Sequence, residues 1–62
     1  MIDHVFTWYI IVDSSGNYVA MSDIWVQTNG LNGQTVVDES SSYMAACMMA
    51  DNLNYAAYVT ES

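Results

Sequence analysis

The chain has 62 residues, of which 53% are hydrophobic, and its seven acidic residues are matched by no lysine or arginine, giving a formal net charge of −7. This length makes a single domain, residues 1–62, with enough apolar content for one small core. Direct binding to nucleic acid or to an anionic membrane depends on cationic side chains. The composition therefore argues against both functions.

The cysteine count and the N-terminus bear on location. Cys47 is the only cysteine, so no internal disulfide can form, whereas small secreted domains usually carry several. The first residues lack the basic region of a signal peptide, and no unbroken apolar run, residues 8–12 included, is long enough to cross a bilayer. We expect a soluble protein of the cytoplasm, the host's cytoplasm if a virus encodes it.

Residues 5–26 predict a long β-hairpin. The first arm, residues 4–12, is β-branched and aromatic almost throughout, which favours a central strand. The second arm, residues 18–28, has a similar composition. Between the arms, residues 13–17 contain aspartate, serine, glycine and asparagine, which predict a tight turn.

The pairing of the two arms depends on the turn. With a turn centred on residues 15–16, Ile10 lies opposite Met21. A turn one residue longer or shorter re-pairs the strands and can exchange their faces. Both faces are largely apolar in either register, so one face is left for a partner or for a second copy of the chain.

The next segment predicts a turn and an edge strand. Residues 29–33 contain two Asn-Gly pairs, a strong turn signal. The third strand, residues 34–38, is shorter and more polar than the first two, as is typical of an edge position.

The second half of the chain predicts one helix over residues 43–53. A preceding serine is a good N-cap, and Asn52 or Asn54 can end the helix. Residues 55–60 alternate weakly and predict a fourth strand. The expected fold is α+β: a small antiparallel sheet of three to four strands with one helix packed on a face, in the order β-β-β-α-β.

The helix has two kinds of surface. The stripe expected to face the sheet contains Tyr43, Ala46, Cys47, Ala50 and Leu53. Met44, Met48 and Asp51 lie on a flank. Two interpretations are open: either this flank is presented to a partner that offsets Asp51, or Met44 and Met48 belong to the core and Asp51 is only solvated.

The residues suited to catalysis or metal binding are few. His4 and Cys47 are the only histidine and cysteine, too few for a zinc site. Residues 13–17 resemble the start of a calcium loop, but Ile24 stands where the terminal glutamate belongs. Asp38 and Glu39 are adjacent and point to opposite faces if extended. We expect no enzyme activity, no cofactor and no metal.

The aromatic and methionine content is high for so small a domain, and such residues are favoured as interface anchors. Together with the carboxylates they form the candidate partner-binding set. Its members are Asp13, Asp23, Asp38, Glu39, Asp51, Tyr18, Met44 and Met48.

In size, acidity, lack of catalytic motifs and plain α+β architecture, the whole chain resembles the small acidic inhibitors encoded by bacterial viruses, the anti-CRISPR and DNA-mimicking anti-restriction proteins. The resemblance implies a non-enzymatic inhibitor that competes with nucleic acid for a basic groove of a host defence complex, such as a CRISPR effector. Seven carboxylates cannot imitate a long run of phosphates, which favours a localised wedge. The alternatives are a structural or assembly protein that forms a homodimer through an apolar sheet face, and a regulator of a host enzyme that acts by shape.

Overall fold

The computed structural model describes residues 5–61, so His4, which the sequence places at the start of the first strand, lies outside the described residues. The elements, in chain order, are β1 (Trp8–Val12), β2 (Tyr18–Ser22), α1 (Asp23–Asn29), β3 (Thr35–Ser40) and α2 (Tyr43–Glu61). Within residues 5–61, neither helix combines the length and the apolar character needed to cross a membrane.

The three strands form one antiparallel sheet in the order β2-β1-β3. The predictions that the first strand is central and the third lies at an edge are confirmed. The α+β class, an antiparallel sheet with a helix packed on one face, is also confirmed. The element order is β-β-α-β-α, and it differs from the predicted order at two places described below.

The hairpin turn is one residue longer than the turn assumed for the predicted pairing. The backbone N–H of Asp13 donates to the carbonyl of Asn17 at 3.0 Å and closes a loop over residues 13–17. Ile10 therefore pairs with Ala20, and the predicted pairing with Met21 is wrong. Since side chains alternate along a strand, this shift exchanges the two faces of β2.

The second arm of the hairpin ends earlier than predicted, at Ser22. The Ser22 hydroxyl accepts a hydrogen bond from the Trp25 N–H at 3.1 Å, which caps α1 in place of the expected strand over residues 23–28. Asp23 in the first turn favours the same helix through the helix dipole. The helix ends at Gly30, whose φ of 75° suits glycine.

The connection to β3 follows the Asn-Gly signal. Asn32 and Gly33 both have positive φ, 47° and 86°, and the Gln34 N–H donates to the Leu31 carbonyl at 2.8 Å. This geometry is that of a tight turn with two left-handed central residues. In β3 a bulge leaves Val37 without a partner on β1.

Helix α2 begins as predicted and ends later. The Ser42 hydroxyl accepts the Ala45 N–H at 3.2 Å, as an N-cap. The helix then continues through Asn52 and Asn54 to Glu61, so the predicted fourth strand over residues 55–60 is wrong. No glycine or proline follows Ser42 to stop the helix, and the Asn54 side chain has another role, described below.

The core lies between β1 and α2. Ile10, Ala46 and Ala50 are buried, and the half-buried Trp8, Tyr18, Ala20, Met49 and Leu53 pack against them. The prediction that Ala46 and Ala50 face the sheet is thus confirmed. Ile11, also fully buried, is on the other face of the sheet because neighbouring strand residues point to opposite sides.

Candidate interaction surface

Helix α2 carries a second, exposed stripe on the side away from the sheet. Its side chains are 74% (Met44), 61% (Met48), 70% (Tyr55) and 70% (Tyr58) exposed. We define the outer stripe as Met44, Met48, Asp51, Tyr55 and Tyr58, which recur at spacings of four, three, four and three residues. A helix that is apolar on both sides is expected to be covered on both.

Asp51 lies in the middle of the outer stripe and is exposed. The exposure of Met44 and Met48 shows that neither methionine belongs to the core, so that part of the second interpretation is wrong. The longer helix also moves Asp51 away from the helix end, so the helix dipole has little effect on its carboxylate. No lysine or arginine exists in the chain to pair with it.

Two of the predicted partner-binding residues have structural roles at the hairpin end of the sheet. The Asp13 carboxylate accepts the backbone N–H groups of Ser15 at 2.9 Å and Asn17 at 3.0 Å, and so holds the turn. The Tyr18 side chain is half-buried and packs against the core. Neither residue is on the outer stripe.

The remaining carboxylates of the set are on other elements. Asp23 is half-buried at the start of α1. Asp38 and Glu39 are exposed on β3, and the Asp38 carboxylate accepts the Glu39 N–H at 2.8 Å. They pair with Ile10 and Tyr9 of β1, and so project to opposite faces, as predicted. Of the eight predicted residues, only Met44, Met48 and Asp51 lie together on one surface.

Asn54 fixes the orientation of α2 on the sheet. Its side-chain oxygen accepts the Tyr18 N–H at 2.8 Å, and its side-chain nitrogen donates to the Tyr18 carbonyl at 2.8 Å. The amide therefore occupies the outer edge of β2 in the way that a neighbouring strand would. This pair of bonds explains why Asn54 is inside the helix and does not end it.

The opposite end of α2 is held by aromatic contacts. The Trp8 ring lies 4.5 Å from the Tyr43 ring, centroid to centroid, and 5.8 Å from the Phe6 ring. A side-chain hydrogen bond with Cys47, and to a smaller extent the charge interaction with that thiol and desolvation, raises the pKa of the Tyr43 phenol. Cys47 thus contacts Tyr43, at the N-terminal end of α2.

A cleft of about 200 Å³ separates the hairpin turn from the C-terminal half of α2. Its lining is uncharged and consists of Ser15, Gly16, Asn17, Asn54, Ala57 and Tyr58. This volume is below the range of roughly 300–1,000 Å³ that is usual for small-molecule sites. Among residues 5–61, no three histidine, cysteine, aspartate or glutamate side chains come close enough to hold a metal ion.

Tyr55 and Tyr58 were not predicted as surface residues of the helix, because residues 55–60 were expected to form a fourth strand. The four-three spacing from Met44 and Met48 continues through both tyrosines without a glycine or proline. That continuation was the available signal.

The comparisons with known proteins identify no relative. No protein-family model, curated protein or solved structure matches this chain.

Proposed function

We propose that the protein is a non-enzymatic binding protein that occupies a basic surface of another macromolecule. The specific form proposed is an acidic inhibitor that competes with nucleic acid at a groove of a host defence complex, such as a CRISPR effector. The observation that carries the proposal is the outer stripe, where exposed methionine and tyrosine side chains surround Asp51 in a chain without cationic residues.

The mechanism is competition for arginine and lysine side chains that otherwise hold phosphates. Asp51, with the exposed Asp38 and Glu39 of the edge strand, supplies the carboxylates. Exposed methionine and tyrosine side chains fill the desolvated centre of the contact. The uncompensated negative charge speeds encounter with a basic partner.

The homodimer alternative has less support at the sheet. On the face that α2 leaves open, Ile11 is fully buried and Tyr9, Val19 and Met21 are half-buried. Many of the larger exposed apolar side chains are on α2 instead. If the chain forms a homodimer, the contact is therefore expected through α2 and not through the sheet. An experiment must distinguish such a dimer from binding to a basic partner.

The test is capture of partners from bacterial lysate on the immobilised chain, at low and high salt and with competing DNA. We expect a nucleic-acid-binding protein that is retained at low salt and released by salt or by DNA. The variant Asp38→Asn/Glu39→Gln/Asp51→Asn should bind it at least roughly tenfold more weakly, because loss of the rim charges Asp38 and Glu39 slows association and loss of the central Asp51 charge removes a charge-assisted hydrogen bond. Retention that is indifferent to salt, to DNA and to this triple change would refute the proposal.

A further inference from the structure

We infer that the outer stripe binds a cationic amphipathic helix of the partner, side by side with α2. This inference rests on the proposed function and names the kind of partner that fits the surface. The four-three spacing of the stripe is that of the positions at which two helices interlock in a coiled coil. From Met44 to Tyr58 the stripe extends about 21 Å at 1.5 Å per residue, a length suited to one helix of about four turns.

The position of Asp51 selects against a second copy of the chain. Asp51 is the midpoint of the stripe, seven residues from Met44 and seven from Tyr58. If two copies paired through the outer stripe, either parallel and in register or antiparallel and centred, the two Asp51 side chains would face each other inside the apolar contact between the helices. Two like charges at such a place are unfavourable. Each copy also carries six further carboxylates and no lysine or arginine to offset them.

A cationic helix reverses the sign of this interaction. A lysine or arginine facing Asp51 gains a charge-assisted hydrogen bond at the centre of the seam. The partner's positive charge is also attracted by the whole chain, whose net charge is −7. Exposed amphipathic helices commonly bind anionic membrane surfaces, but the negative charge of this chain is repelled by such a surface.

The area of the outer stripe fits contact with a single helix better than contact with a broad protein surface. Two tyrosines and two methionines at these exposures present on the order of 500 Å², less than the roughly 800 Å² that each partner contributes to a standard interface. One helix can cover such a strip. The unbranched methionines adapt to the residues they meet.

The test uses the full chain and two designed helical peptides, measured by fluorescence anisotropy and calorimetry. One peptide has leucines at the seam positions and lysines elsewhere, with one lysine opposite Asp51; the other replaces every lysine with glutamate. We expect the cationic peptide to bind at least tenfold more tightly than the acidic one. The variant Met48→Gln/Tyr55→Ser should weaken that binding at least tenfold.

A matched control lies away from the stripe. Val37 is 47% exposed on β3, and Val37→Thr should leave peptide affinity unchanged within a factor of two. Asp51→Asn should weaken binding of the cationic peptide several-fold and should increase self-association, measured by sedimentation. These two directions together are not expected of a residue that is merely solvated.

The outcomes separate this inference from the function on which it rests. In one outcome the cationic peptide binds the variant Met48→Gln/Tyr55→Ser as tightly as the wild type, and in another basic folded proteins bind where the peptide does not. Either result would refute helix binding at the outer stripe and leave the proposed function, binding of a basic surface, intact. If no basic peptide or protein binds, both are wrong. A wild-type dimer, or binding to neutral lipid vesicles, that the same double variant abolishes would assign the stripe to those occupants instead.

Discussion

Replacing Asn54 with alanine should loosen the attachment of α2 to the sheet. The change removes two hydrogen bonds of 2.8 Å, to the N–H and to the carbonyl of Tyr18. Each such bond contributes about 1 kcal/mol net, with a further penalty if the freed backbone groups stay partly buried. Alanine regains roughly 0.5 kcal/mol because it is the better helix former. We expect a net loss of about 2 kcal/mol in the free energy of unfolding.

A loss of this size is readily measured. For a domain of this length, about 1 kcal/mol lowers the melting temperature by roughly 4–8 °C, so Asn54→Ala should melt about 8–16 °C below the wild type. Thermal and urea unfolding, followed by circular dichroism and tryptophan fluorescence, give the two free energies. The matched control is Asn52→Ala, at an exposed position of the same helix, which should be neutral or slightly stabilising.

The variant Asn54→Asp tests the direction of each bond. A carboxylate can still accept the Tyr18 N–H but places its second oxygen against the Tyr18 carbonyl, where the amide now donates. We expect a loss at least as large as that of alanine at neutral pH, decreasing at acid pH as the introduced carboxyl becomes protonated and can donate. If Asn54→Ala and Asn52→Ala unfolded within about 0.5 kcal/mol of each other, the paired bonds would not be what holds the helix.

Three further substitutions examine other contacts. Asp13→Ala removes the carboxylate that holds two turn amides and should lower the urea-derived free energy of unfolding by about 1–2 kcal/mol, with Asp13→Asn losing less. Gly33→Ala should lose about 1 kcal/mol in a thermal melt from its φ of 86° alone, since open space surrounds the added methyl, and Gly33→Asn should lose less. Cys47→Ala should lower the pKa of Tyr43 towards its ordinary value, seen in an ultraviolet titration as the disappearance of one late-ionising phenol. Because the pKa of Tyr43 is raised in the folded state, its contribution to the free energy of unfolding is present below the ordinary tyrosine pKa and is lost as the pH rises through the folded-state value.

Elements governed by local signals were predictable from the sequence. Residues 8–12 are β-branched and aromatic, and they form the central strand. The Asn-Gly pair at residues 32–33 forms a tight turn with positive φ at both positions. Ala46 and Ala50 recur one turn apart, and they are the helix residues most deeply buried against the sheet. In each case neighbouring residues alone favour the observed geometry.

The short helix α1 was missed because composition and capping point in different directions. Ile24, Trp25 and Val26 favour a strand, but the Ser22 hydroxyl caps the Trp25 N–H. The Asp23 N–H also donates to the Thr7 carbonyl at 2.9 Å, a contact that depends on the folded hairpin. The capping residues were visible in the sequence, whereas the contact with Thr7 was not.

The end of α2 depended on a contact between residues far apart in the chain. Asn54 has the side chain expected of a helix end, yet its partner is Tyr18, 36 positions away. Placing the following residues in a strand removed Tyr55 and Tyr58 from the candidate surface. Three of the five outer-stripe residues, Met44, Met48 and Asp51, were therefore in the predicted set, and the two tyrosines were left out because the helix was predicted to end before them.

The small core links stability to binding. Among residues 5–61, only four hydrophobic side chains are buried, and two of these are alanines. A partner that binds only the folded chain adds about 2.7 kcal/mol when its concentration is 100 times the dissociation constant, more than the paired Asn54 bonds contribute. Asn54→Ala should therefore lower stability, and a partner at that concentration should restore most of the loss. Adding Met48→Gln/Tyr55→Ser should change the stability of the free chain little and, at a tenfold weaker affinity, reduce the restoring effect by about 1.3 kcal/mol or more.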